Sequence, residues 1–279
     1  MFNSIFGLHT NTHEPSVSTS VSNLISQILA ATGTAAALIS PTPVPTEIPK
    51  PVFSPIPEDA IHLGNELWLV TDHQEDYSPN QNMHFNADIP QLTGGKEAVL
   101  DTFNRGVYTL VTQAFDQTSQ DLGDYRIDDP GGFIDITYKI IGSNQRVLSI
   151  LMLFDSYTGG AHPFAYHRSL NYDLKAGKFI DLSELFIEGE PYLESIAGYC
   201  IDDLKSHHAD WLFEDFENQG AAPSRENYSV WNLSSLGLVV TFEEYQIAPY
   251  AVGYQQVVIP YSEVYEILDR DGPVSAFYP

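Results

Sequence analysis

Residues 134–154 constrain the fold of this chain more than any other stretch. Ile134, Ile136, Tyr138 and Ile140 alternate with Asp135, Thr137 and Lys139. Side chains of a strand point to opposite faces in turn, so the pattern predicts a strand with one face in a core and the other outside it. Gly142-Ser-Asn-Gln145 then turns the chain back, and residues 147–154 are almost wholly apolar. A run without polar alternation predicts a strand buried on both faces, and so a central one.

The remaining elements group around this hairpin. Glu66-Leu-Trp-Leu-Val-Thr71 and Met83-His-Phe-Asn-Ala-Asp-Ile89 read as short strands. Val99, Phe103, Val107, Leu110, Val111 and Ala114 recur at helical spacing, which predicts an amphipathic helix over residues 96–117. Residues 164–173 form a further strand, turned by Lys175-Ala-Gly-Lys178. A short helix follows at 182–186, and a longer one places Leu193, Ile196, Ala197, Cys200 and Leu204 on one face. Leu236, Leu238, Val240 and Phe242 predict a strand, residues 256–259 another, and residues 261–268 a terminal helix. The sum is an α+β fold with mainly antiparallel sheet packed with two main helices. Each half has few strands and one good helix, so the halves are expected to share a sheet surface or pack closely in one compact unit.

The first sixty residues read differently. Residues 24–39 are mildly apolar but fall short of the ~20 residues a membrane span needs. No Lys or Arg precedes Lys50, so the basic start of an export signal is missing. A degenerate signal and a disordered leader both fit. Seven of the 18 prolines lie in residues 40–57, which predicts an extended spacer. The expected organisation is a leader over 1–60, one module over 61–155 and a second over 156–279.

Charge narrows the partners. Against 12 Lys and Arg stand 37 Asp and Glu, a net −25, which repels nucleic acid and anionic membrane surfaces. One cysteine excludes an internal disulfide. Cys200 lies on an apolar helix face beside Asp202 and Asp203, the reverse of the electropositive setting a reactive thiol needs.

Candidate chemistry centres on two loops. Tyr157-Thr-Gly-Gly-Ala-His-Pro163 joins two predicted strands. Gly159 and Gly160 supply backbone freedom, Pro163 fixes entry to the next strand, and His162 is expected to cap the turn. This makes the loop structural, with no catalytic residue and no metal. The alternative is a metal-assisted hydrolase with His162, Asp155 and His167 as a two-His-one-carboxylate set. His207 and His208 close a helix, where the dipole favours cations; a metal site with Asp210 and Glu214 has no recognised spacing. Glu243 and Glu244 are neighbours on a strand reading and would point apart. Asn227-Tyr-Ser and Asn232-Leu-Ser match the glycosylation sequon.

The second loop runs from the end of one strand to the start of the next and carries Tyr245, Pro249, Tyr250 and Tyr254. A rigid proline with amphipathic rings is the composition of a recognition loop; the alternative is that the rings bury themselves over the sheet edge.

Here the residues resemble a family. Tyr157-Thr-Gly-Gly-Ala-His-Pro163, Asn171-Tyr-Asp-Leu-Lys-Ala-Gly-Lys178, Asp181-Leu-Ser-Glu-Leu-Phe186, Tyr245-Gln-Ile-Ala-Pro-Tyr250 and Val257-Val-Ile-Pro-Tyr-Ser-Glu263 are similar to the C-terminal module of bacterial RsiV-type proteins. Residues 67–154 resemble the module beside it, a pairing also found as the non-catalytic part of the peptidoglycan deacetylase PdaC. The resemblance implies an extracytoplasmic α+β binding module without catalytic activity or cofactor. Its implied partner is a basic lysozyme-type protein or peptidoglycan, and the Ala-Pro-Tyr match carries a binding role onto Pro249 and Tyr250. The chain departs from the family in lacking a sigma-binding segment, a clear transmembrane helix and the Thr-Phe-Asp-Asp-Gly signature of the deacetylase. An inert structural envelope domain is the remaining reading.

Overall fold

The structure, a computed structural model, describes residues 56–278. The readings of the leader and of most of the proline-rich spacer lie outside the described residues.

Seven strands form the larger sheet in chain order: β1 Ile61–Gly64, β2 Leu67–Ser78, β3 Met83–Thr93, β4 Gly132–Ser143, β5 Val147–Tyr157, β6 Phe164–Asp173 and β7 Lys178–Phe179. Every neighbouring pair is antiparallel except β3 and β4. Between those two strands the chain crosses over through α1, Glu97–Leu122, which returns it to the starting end of the sheet. Helix α1 inserts Phe103, Val107 and Val111 between itself and the sheet, beside Phe85, Ile89, Ile136, Ile150 and Phe154. The helix is a turn longer than its apolar spacing predicts.

A second layer covers part of the opposite face. Strands β8 Trp231–Leu233, β9 Leu238–Phe242 and β10 Gln255–Ile259 form a small antiparallel sheet. Helix α2, Tyr192–His208, packs Ile196, Ala197, Cys200 and Leu204 with Leu238, Val240, Phe242, Val257 and Ile259. Strand β8 lies against β4, β5 and β6. This explains the unbroken apolar run of β5: Leu148, Ile150, Met152 and Phe154 join the α1 core, while Val147 joins the core of the second layer.

Polar groups also join the two layers. Ser149, Asn171 and Asn232 are all buried. Asn232 Nδ2 donates to Ser149 Oγ at 3.0 Å and to Ile150 O at 2.9 Å. Asn171 Nδ2 donates to Trp231 O at 2.8 Å. At Gly142 the second layer comes so close that a Cβ would stand 2.3 Å from Leu233 O. The sheet therefore runs through the expected 155/156 division, which falls inside β5, and both halves contribute to it.

One local reading is refined and one is corrected. Residues 261–267 form a 3-10 helix, in which Tyr261 and Val264 are buried at the three-residue spacing such a helix requires. Leu236 belongs to the turn before β9 and is 75% exposed. Among the described residues no helix is long and apolar enough to cross a membrane.

Candidate functional site

The second layer covers only one end of the larger sheet, and the two loops singled out by sequence meet at its border. After β5, Gly159 and Gly160 take φ of +96° and +110°, the left-handed region where a side chain is strained. The turn presents His162, whose Nδ1 lies 2.7 Å from Pro163 O. Its ring also stacks on Tyr250, centroids 4.1 Å apart. Tyr245 stacks on the same tyrosine at 5.7 Å and brings its hydroxyl within 3.4 Å of His162 Nε2. Tyr250 Oη donates to Pro163 O at 3.4 Å. Pro249 caps the short turn Tyr250–Val252 and so sets the direction of Tyr250. The two loops thus form one wall, with Tyr245 exposed and Tyr250 half-buried.

One carboxylate–imidazole contact anchors the wall. Glu243 accepts from the backbone N–H of His167 at 2.6 Å and pairs with His167 Nδ1 at 2.9 Å. His167 is buried, and Tyr254 lies over its ring at 4.3 Å. Strand β6 is an outer strand here, because β7 pairs only with Tyr172 and Asp173. The carboxylate of Glu243 therefore occupies an edge N–H that has no strand partner.

Glu244 and Asp155 sit behind the stack. Burial raises the Glu244 carboxyl above the ordinary carboxylate range, with Glu243 and Asp155 adding repulsion and His162 and His167 opposing it. Its Oε2 is buried without a hydrogen-bond partner. Asp155 is raised for the same first reason, and then by Asp135. Glu243 and Glu244 lie beyond the end of β9, in a turn, so strand alternation does not apply to them; one grips His167 and the other faces the acids of the sheet.

Below the wall the larger sheet stays open. Cross-strand register places Tyr77, His84, Phe133 and Tyr157 in one row across β2, β3, β4 and β5. The next row holds Glu75, Asn86, Asp135 and Asp155. The rings of Tyr77 and His84 lie 4.6 Å apart, and those of Phe133 and Tyr157 6.3 Å apart. The period-two pattern of β4 already placed Asp135 opposite the core residue Ile134; Phe133, two residues earlier on the same face, lies outside the stretch that showed the pattern. Pairing with β2 and β3 across α1 carried no local signal.

The other candidates separate. Among the described residues no three His, Cys, Asp or Glu side chains gather as a metal-holding group, so the set of His162, Asp155 and His167 does not assemble as one. The cause is that His167 is turned to Glu243 and His162 to Tyr250. His207 pairs with Asp203 one helical turn back, and His208 stacks on Trp211. Burial pushes the Cys200 thiol far up, away from the thiolate. Asn232 is fully buried and cannot carry a glycan, while the side-chain nitrogen of Asn227 donates to Gln219 O and Ala222 O.

Two family models match the chain. Residues 78–165 match the family described as Deacetylase PdaC, and residues 183–262 match DUF3298, a family described as a protein of unknown function. Asp135, Asp155 and His162 fall in the first match; Glu243, Glu244, Tyr245, Tyr250 and Tyr254 fall in the second. The peptidoglycan-N-acetylmuramic acid deacetylase PdaC of Bacillus subtilis strain 168 is 26% identical over 135 residues, which cover 48% of this chain and 29% of that protein. The match thus spans less than a third of the relative. A crystal structure of a DUF3298 family member from Bacteroides fragilis shares the fold with a TM-score of 0.57 at 18% identity, covering 76% of this chain and 97% of that one. A DUF3298 family structure from Pseudomonas aeruginosa gives 0.49 at 17% identity, over 73% and 94%.

Proposed function

We propose that the chain is a non-catalytic, extracytoplasmic cell-envelope module, and that the wall of His162, Tyr245, Tyr250 and Tyr254 binds its partner. The relation to a peptidoglycan deacetylase supports the envelope setting. The observation that carries the binding role is the stack of His162, Tyr250 and Tyr245, held by hydroxyl contacts at the border of the two layers and open to solvent on one side. Rings already ordered in the free protein lose little entropy on binding, and they offer an apolar face with a polar tip to a sugar or to the cleft of a glycan hydrolase. The net charge of −25 complements a basic lysozyme-type protein and speeds its encounter.

The test measures binding of the full chain to insoluble peptidoglycan and, separately, to hen lysozyme. Tyr250→Ala is expected to weaken the partner that binds by about 30-fold, equivalent to ~2 kcal/mol, without lowering the melting temperature by more than a few degrees. Binding of neither partner, or release of soluble sugar from peptidoglycan that Asp155→Asn abolishes, overturns the reading.

A further inference from the structure

The open face of β2–β5 adjoins the wall, through Tyr157 and Asp155, and has its own chemistry. Its first row is aromatic and rigid. Tyr77 Oη donates to Asn82 Oδ1 at 3.0 Å and Tyr157 Oη donates to Gly160 O at 3.0 Å, so hydroxyls tie down both ends of the row. Tyr77 is 44% exposed and His84 is exposed, while Phe133 and Tyr157 are half-buried. Four rings in register across four strands span about three strand spacings, ~14 Å. That is the reach of two to three pyranose rings laid flat, and the apolar faces of sugars stack on such rings.

The second row is acidic and has no cation of its own. Asp135 and Asp155 are direct cross-strand partners, an arrangement that like charges disfavour. Asn86 donates to Asp135 at 2.7 Å and spreads its charge without neutralising it. Among the described residues no ion pair involves Glu75, Asp135, Asp155 or Glu244. Lys139, on the same face of β4, lies four residues along the strand from Asp135, ~13 Å away. His73, in the next row, is paired with Asp88 at 2.7 Å. A facing carboxylate pair beside a sugar-sized aromatic row complements a ligand that brings its own positive charge.

We infer that this face binds a polysaccharide carrying free amino groups, its sugar rings on the row of Tyr77, His84, Phe133 and Tyr157 and its ammonium groups on Asp135 and Asp155. A neutral N-acetylated glycan meets the same rings but leaves the facing carboxylates uncompensated, so the face discriminates by acylation state. A flexible basic peptide meets the carboxylates but not the rings. The inference goes beyond the wall reading and does not depend on Tyr250.

The experiment is calorimetric titration of the full chain at pH 6 in low salt. The probes are a glucosamine hexamer, the fully N-acetylated hexamer and a lysine hexamer of the same number of amino side groups. The glucosamine hexamer is expected to bind at least tenfold more tightly than either control. Asp135→Asn with Asp155→Asn removes that preference, and these variants keep the acceptor for Asn86 while relieving repulsion, so they are expected to fold. Tyr77→Ala, at an exposed position, weakens the glucosamine hexamer several-fold and leaves the lysine hexamer unchanged. Equal affinity for the three probes, or a preference that survives the double Asn substitution, overturns the inference. Loss of peptidoglycan or lysozyme binding in Tyr250→Ala, with the glucosamine-hexamer preference intact, concerns the wall alone and leaves the inference standing.

Discussion

Removing the carboxylate of Glu243 tests how the wall is held to the sheet. In Glu243→Ala two groups lose their partner at once: the backbone N–H of His167 on the outer strand β6, and the Nδ1 of a ring whose side chain is only 4% exposed. A buried polar group left unpaired costs about 1–3 kcal/mol. The partly exposed carboxylate, at 16%, is relieved of some desolvation when it is removed, which offsets part of that sum. The expected net loss is ~2–4 kcal/mol. Glu243→Gln keeps one acceptor oxygen for the N–H and an amide that pairs with the other ring tautomer, so its expected loss is about 1 kcal/mol. Equilibrium urea unfolding of both variants, followed by tryptophan fluorescence, gives the two numbers. An Ala variant within about 0.5 kcal/mol of the parent would refute the reasoning, because the bonds would then be replaced by water at no cost. Equal losses in Ala and Gln would show that charge, and not the acceptor geometry, holds the corner.

Two further perturbations separate contact from backbone effects and fix a pH direction. A Cβ at Gly159 or Gly160 meets nothing within 4 Å, whereas at Gly142 it would meet Leu233 O at 2.3 Å; Gly159→Val is expected to cost only its positive-φ strain, ~1–3 kcal/mol, and Gly142→Val more, by wedging the layers apart, as read by thermal unfolding. Asp155 and Glu244 have pKa values raised by burial, so the folded state holds their protons more tightly than the unfolded chain. Their contribution is complete below the ordinary carboxylate range near about 4, and is lost as pH rises through the raised values. Asp155→Asn should therefore flatten the fall in stability over that window; an unchanged slope in unfolding curves across it would count against the burial of this carboxyl.

Much of the fold was legible in local pattern. Period-two alternation in β4 and the apolar run of β5 mark an inner hairpin, and the helical spacing of Phe103, Val107 and Val111, or of Ile196, Cys200 and Leu204, marks the two helices and their buried faces. These signals survive because each is set by neighbours within one or two turns of the same element. The short strands β1, β7 and β8 carry too few residues to show a period, and β8 exists because Trp231 and Leu233 find a partner in β9 and a floor in β5. The 3-10 form of 261–267 was hidden by the shared i, i+3 spacing of the two helix types.

The sequence by itself determined the acidity of the chain, the glycine-rich turn that carries His162, and the tyrosine-rich loop that carries Tyr250. Only the tertiary structure brought these two loops together, more than eighty residues apart, and stacked the imidazole on the phenol. It likewise decided that Glu243 serves His167 while Glu244 faces Asp155, and that Asn232 is buried. The physical reason is the parallel crossover between β3 and β4 and the packing of β8 across β5: both set which faces are covered through contacts between residues far apart in sequence, and no local period encodes such a pairing.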